Sequence, residues 1–114
     1  MSENLKDLSK EELQKVLKEK YGKVYEVEAE NEDLDKTFTY YFTKPTTPSF
    51  NRALKTMSKK SLQSMKDFTM DNIVAEQKEE YQKDLEEYPA LCMPLGQKLL
   101  GLLGVSDSVS IKKL

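Results

Sequence analysis

The sequence predicts an α+β fold, mostly α, with an N-terminal helix and a β-hairpin packed on a bundle of three to four helices. Three observations carry this. First, Phe38, Tyr40 and Phe42 alternate with Thr37, Thr39, Tyr41 and Thr43, a period of two in aromatic and β-branched residues. Second, Lys23–Glu30 alternates in the same way, with Tyr25, Val27 and Ala29 opposite Val24, Glu26 and Glu28. Third, apolar residues recur at helical spacing before this pair of stretches and again throughout the chain after it.

Taken in order, Leu8-Ser9-Lys10-Glu11-Glu12-Leu13 is a helix start. Ser9 is placed to cap the Glu12 amide and Glu12 to reach back, while Leu8 and Leu13 stand at the spacing of a hydrophobic staple. Leu13, Val16 and Leu17 give a narrow stripe, and Gly22 offers a left-handed stop, so the first helix covers about residues 10 to 21. The two alternating stretches, joined through the polar run Asn31–Lys36, read as an antiparallel hairpin. Phe38, Tyr40 and Phe42 face the core, and Tyr41 lies on the opposite, exposed face. Pro45 ends the strand. Thr47 as N-cap with Pro48 at the first helical position opens the next helix, which carries Phe50, Ala53, Leu54 and Met57. Leu62, Met65, Phe68 or Thr69, and Ile73 continue at helical spacing over about 60 to 74, either as a separate helix or as the second half of a kinked one.

Glu76–Glu87 is a polar surface helix with a thin line of Tyr81, Leu85 and Tyr88, stopped by Pro89. Leu91, Leu95, Leu99, Leu102 and Leu103 make the most apolar helix, starting near Met93 because Pro94 belongs in a first turn. Gly96 and Gly101 weaken that helix or permit close packing, and Gly104 ends it. Residues 1–104 thus form one domain, and 105–114 a C-terminal tail or a strand docked on a partner.

Composition narrows function. Eighteen basic and twenty acidic residues give a net charge of -2, so no basic footprint for nucleic acid exists at whole-chain level. No apolar run is long enough to cross a bilayer. Met1-Ser2-Glu3 opens a charged stretch unlike a secretory signal, and the single cysteine, Cys92, fits a reducing cytoplasm. The absence of histidine removes the commonest general base and metal ligand, together with Ser-His-Asp and Cys-His arrangements. No cofactor or metal site is expected. The carboxylates Glu79, Glu80, Asp84, Glu86 and Glu87 sit among Lys78, Gln82 and Lys83 and read as a solvated face rather than an acid–base pair. Asn31-Glu32-Asp33-Leu34-Asp35 lacks the central glycine and terminal glutamate of a calcium loop. Cys92 has no basic neighbour in sequence and reads as a small buried hydrophobe. Lys55, Lys59, Lys60 and Lys66 form a basic patch, read as solvated rather than nucleic-acid-binding. The leucine helix is apolar on more than one face, which suits either a core position or an interface with another chain, including a second copy of this one.

An aromatic extended segment with Tyr40 and Phe42 runs through Pro45 into a helical body, which a proline-led helix with Pro89, Leu95, Leu99, Leu102 and Gly104 closes. This order resembles the small cytoplasmic proteins encoded in tail-gene regions of siphophages and Gram-positive prophages, which include tail assembly chaperones. The resemblance covers about residues 23 to 104. It implies a non-enzymatic protein of the host bacterial cytoplasm that shields an aggregation-prone tail protein, such as the tape measure protein. Tyr41, Leu99, Leu102 and Leu103 are the expected protein-binding residues. The alternatives are a structural head–tail or tail completion protein, and a small host-directed regulatory binding protein using the Lys55–Lys66 patch.

Overall fold

A computed structural model of the chain describes residues 8–106 and 108–114. Met1-Ser2-Glu3 and Asp107 of the expected tail lie outside those residues. The order is α1 (Lys10–Tyr21), β1 (Tyr25–Asn31), β2 (Lys36–Phe42), α2 (Thr47–Met57), α3 (Ser61–Asn72), α4 (Lys78–Glu87) and α5 (Cys92–Leu102), with single 3₁₀ turns at Ala75–Gln77 and Pro89–Leu91. The α+β, mostly α class holds.

Helix α1 starts where its cap dictates, with the Glu12 amide donating to Ser9 Oγ at 3.1 Å. It stops at Gly22, whose φ of 80° suits a residue without a Cβ. Strands β1 and β2 pair antiparallel, with Tyr25 opposite Phe42, Val27 opposite Tyr40 and Ala29 opposite Phe38. The connecting turn is local chemistry: the Leu34 amide donates to Asn31 Oδ1 at 3.1 Å, and Asp35 takes the left-handed conformation. The aspartate-rich run is therefore a hairpin turn.

Helix α2 begins one residue earlier than expected. Thr46 is its N-cap, accepting from the Ser49 amide at 3.3 Å, and Pro48 falls within the first turn. The α2 and α3 helices are separate and lie side by side as a hairpin. Ser64 Oγ donates to the Ala53 carbonyl at 2.7 Å, Asn72 Nδ2 donates to Ser49 Oγ at 3.1 Å, and Arg52 pairs with Asp71 at 3.2 Å. Helix α5 begins at Cys92 and crosses α3 at Gly96, where an added Cβ would stand 2.6 Å from Met65 Sδ. Gly96 is thus a close-packing glycine, whereas a Cβ at Gly101 would meet nothing within 4 Å. The helix ends in a Schellman motif, with Gly104 at φ 106° and the Val105 amide reaching the Leu100 carbonyl at 3.2 Å.

The main core joins Phe38, Tyr40 and Phe42 of β2 to Met65, Phe68, Tyr81, Leu85, Cys92, Leu95 and Leu99. Tyr40 and Tyr81 meet edge to face at 4.9 Å, as do Phe38 and Tyr88 at 5.4 Å. Leu99 is completely buried here. The leucine helix is apolar on several faces because it is central, which removes Leu99 from the expected binding residues. Leu102 and Leu103 are half-buried at the edge of the same core.

A second, smaller core lies on the other face of the hairpin, where Leu17, Tyr41 and Val74 are buried with Leu13, Tyr21 and Val24 around them. Tyr41 is on the outer face as expected, but only 4% exposed. The α1 stripe needs an apolar partner, and Tyr41 on the outer face of β2 provides it, so Tyr41 is a core residue. Helix α1 is fastened at its far end by Glu76, which accepts from Lys20 Nζ and Tyr21 Oη, each at 2.7 Å. Burial pushes the Glu76 carboxyl up, but these donors outweigh it and hold the group below its usual range.

Two outcomes follow from this packing. In urea denaturation, Gly101→Ala raises stability by about 0.5 kcal/mol, through helix propensity and a less flexible unfolded chain. Gly96→Val lowers it by about 2 kcal/mol through overpacking against Met65. Equal effects at the two glycines would show that the α3–α5 crossing is not tight. Glu76→Gln costs about 1 kcal/mol at neutral pH, the scale of a lost charged hydrogen bond. Because the folded carboxyl lies below its ordinary value, its contribution is full above the unfolded value and is lost as pH falls through the folded one. The difference between wild type and variant therefore shrinks below about pH 4.5, and a gap unchanged at pH 3 would refute the ion-pair account.

Candidate functional site

A cleft of about 390 Å³ opens between α1 and the outer face of the hairpin, lined by Leu8, Lys10, Leu13, Thr39, Tyr41, Glu76, Gln77 and Glu80. Its polar groups are largely engaged with one another. Gln77 accepts from the Tyr41 amide at 2.7 Å and donates to the Thr39 carbonyl at 3.3 Å. Just beside it, Glu26 Oε2 accepts from Gln14 at 3.0 Å, Tyr41 Oη at 3.1 Å and Lys10 at 3.2 Å. Burial raises the Glu26 carboxyl, and the Lys10 and Tyr41 donors bring it below its usual range. Among the described residues, every buried side-chain nitrogen and oxygen has a hydrogen-bond partner. Glu26 Oε2 and both Glu76 oxygens thus accept hydrogen bonds that tie α1 to the rest of the fold.

The remaining titratable groups of the interior are also structural in their surroundings. Tyr40 Oη donates to the Asp84 carboxylate; burial first, and then that carboxylate, push the phenol far above its usual range. Tyr81 Oη donates to Thr69 Oγ1 at 2.6 Å, and burial likewise raises it. Cys92 is completely buried, its thiol is pushed up by burial, and its Sγ faces the Pro89 carbonyl at 3.5 Å. It is the small buried hydrophobe that the sequence suggests. Among the described residues, no group of three His, Cys, Asp or Glu side chains is placed to hold a metal ion, and no helix is long and apolar enough to cross a membrane.

The accessible apolar surface lies elsewhere. Of the expected binding residues, Tyr41 and Leu99 are interior, and only Leu102 and Leu103 reach the surface in part. Leu54 and Leu62, by contrast, stand 50% and 46% exposed on the α2–α3 hairpin. Lys55, Lys59 and Lys60 are exposed on the same hairpin. Helical spacing assigns both leucines to the buried stripe, yet Ala53 and Met57 on α2, and Met65 and Phe68 on α3, already supply that contact. Leu54 lies one position past Ala53 in the stripe, whereas Leu62 is in register with Met65 and Phe68 and is exposed because it falls in the first turn of α3.

Comparison with known proteins places this architecture in a family. The solved structure described as the uncharacterised protein rbstp2171 from Bacillus stearothermophilus is similar at 35% identity and a TM-score of 0.78, covering 87% of this chain and 99% of that one. No curated protein matches the sequence. Residues 17–112 match the family described as a domain of unknown function, DUF6848. That match runs from the middle of α1 through the whole packed body and into the segment beyond α5, and the chain belongs to the DUF6848 family.

Proposed function

We propose that this protein is a non-enzymatic binding factor of the tail assembly chaperone kind, acting in the cytoplasm of a bacterial host on an unassembled phage or prophage tail protein. One observation carries the binding role: the buried side-chain polar groups among the described residues are all partnered within the fold, while Leu54 and Leu62 stand exposed on the hairpin that also carries the exposed Lys55, Lys59 and Lys60. Exposed aliphatic side chains on a hairpin that carries several lysines suit an amphipathic helix with an acidic flank. Long helical tail proteins, of which the tape measure protein is the extreme, expose such faces before they assemble. The assignment to tail assembly rests on the element order from Tyr40 to Gly104.

Mechanistically, the role is stoichiometric. Leu54 and Leu62 cover apolar surface on the partner, the lysines set its orientation, and assembly of the tail competes the partner away.

Co-expression with the tape measure protein of a tail-gene cluster that encodes a member of this family tests the reading. The expected result is a soluble complex recovered on a tagged copy of this chain. Leu54→Asp with Leu62→Asp abolishes recovery while the protein stays folded by circular dichroism, its thermal midpoint lower by no more than about 10 °C because both side chains are only half buried. A tape measure protein that is equally insoluble with and without this chain, and is never recovered with it, would overturn the proposal.

A further inference from the structure

The two edges of the hairpin are treated differently. The outer edge of β2 is closed by residues 72–77: the Thr43 amide donates to the Asn72 carbonyl, the Val74 amide donates to the Tyr41 carbonyl, each at 2.9 Å, and Phe42 bridges to Ile73. The outer edge of β1 has no such cover. The sheet has two strands, and no backbone group of Tyr25–Asn31 bonds to another segment among the described residues. An open edge offers a row of unpaired amides and carbonyls, and proteins usually charge it to deter pairing. Here Glu26, Glu28 and Glu30 charge one face of it. That charge excludes strands in general but selects one that carries lysine.

A groove of about 390 Å³ opens at the far end of this edge, where β1 meets the start of α5. Its apolar lining includes Ala29, Leu34, Phe38, Leu91 and Pro94, and Glu30 stands at its rim. The segment beyond α5 has the complementary pattern. Ser108-Val109-Ser110-Ile111-Lys112 alternates polar and β-branched residues as a strand does. Val109 and Ile111 are 79% and 99% exposed, and the described residues 108–114 form no helix or strand. The groove lies at the first turn of α5, whereas the segment departs from the last, so the helix carries it away from the groove of its own chain.

We infer that residues 108–114 of one copy add as a third strand to the open β1 edge of a second copy. Val109 and Ile111 enter the groove on the apolar face, and Lys112 lies along Glu28 and Glu30 on the acidic one. Reciprocal exchange makes the contact isologous and closes a two-fold dimer, which leaves each hairpin with three strands. The surface is separate from Leu54 and Leu62, so the dimer stands or falls independently of the proposed partner.

Light scattering on the full chain over a dilution series tests this. The expected result is a dimer that dissociates on dilution. Val109→Asp with Ile111→Asp makes the protein monomeric at every concentration, while the monomer keeps its circular dichroism and thermal midpoint, because neither side chain touches its own fold. Glu28→Lys with Glu30→Lys weakens association by roughly tenfold at low salt, and Lys112→Glu, the lysine on the same face as those glutamates, restores part of it on that background. A wild-type monomer throughout would overturn the inference, as would a dimer that survives the aspartate substitutions. A monomer whose amides at 108–114 are protected from hydrogen exchange would show the segment folding back on its own chain, which also overturns it.

Discussion

From Phe38 to Phe42 strand β2 is enclosed on both faces and along its outer edge, and the rest of the molecule is arranged to make that possible. A buried backbone must have its amides and carbonyls bonded, or each loses the better part of its solvation without return. On one side β1 does this through a regular antiparallel ladder. On the other side no strand is available, and residues 72–77 do it piecemeal. Val74 bonds to the Tyr41 carbonyl through its backbone, while Gln77 reaches in with its side-chain amide, accepting from the Tyr41 amide and donating to the Thr39 carbonyl. A primary amide has the same donor and acceptor as a peptide group, so one glutamine can stand in for a residue of a third strand. This explains the abrupt end of α3 at Asn72 and the delay of α4 until Lys78: the intervening residues are committed to the edge of β2.

Enclosure on two faces also accounts for the tyrosines. A strand between two apolar layers ordinarily reads as a continuous aliphatic run, whereas β2 carries Tyr40 and Tyr41 in succession, one to each layer. Each ring is buried and each hydroxyl ends on a carboxylate at the boundary of its layer, Tyr40 on Asp84 and Tyr41 on Glu26. Tyr21 does the same from α1, ending on Glu76. Burying a ring contributes a few kcal/mol and the hydroxyl bond about 1 more, so packing dominates. The bond matters for position, since it fixes how deep each ring sits. In a chain of this size, with layers one side chain thick, tyrosine spans from core to surface where phenylalanine would leave the rim carboxylates without their phenol donors.

Much of this was legible in the sequence because it is written in local chemistry. The cap at Ser9, the stop at Gly22, the period of two through Phe38–Phe42 and the stop at Gly104 are each decided within a few residues. What could not be read is decided at a distance. Tyr41 sits on the outer face by parity, but whether that face meets water depends on where α1 lies, and Leu13 and Leu17 do not say which surface they will cover. Gln77 stands in the polar run Glu76–Glu80, where nothing marks one glutamine as a backbone substitute. Leu99 and Leu54 show the same limit from opposite directions. Helical spacing gives both to an apolar stripe, yet one is wholly enclosed and the other half exposed, because α5 is surrounded by other elements and α2 packs on one side only.

An apolar helix is therefore poor evidence for an interface in this fold. Helix α5 must be apolar on several faces, since α3 contacts it through Gly96 and β2 meets it through the aromatic cluster. Residues that satisfy so many neighbours cannot also be offered to a partner without opening the core, at a cost of several kcal/mol for a leucine of this kind. The groups that the core does not use are the leucines just outside the α2–α3 seam, the uncovered edge of β1 and the segment that leaves α5, and these carry the surfaces proposed for binding. These are peripheral to the enclosure of β2, so each can change its chemistry without disturbing it. The fold places its constraint at the centre and its freedom at the margins, and a search for function in this family belongs at those margins.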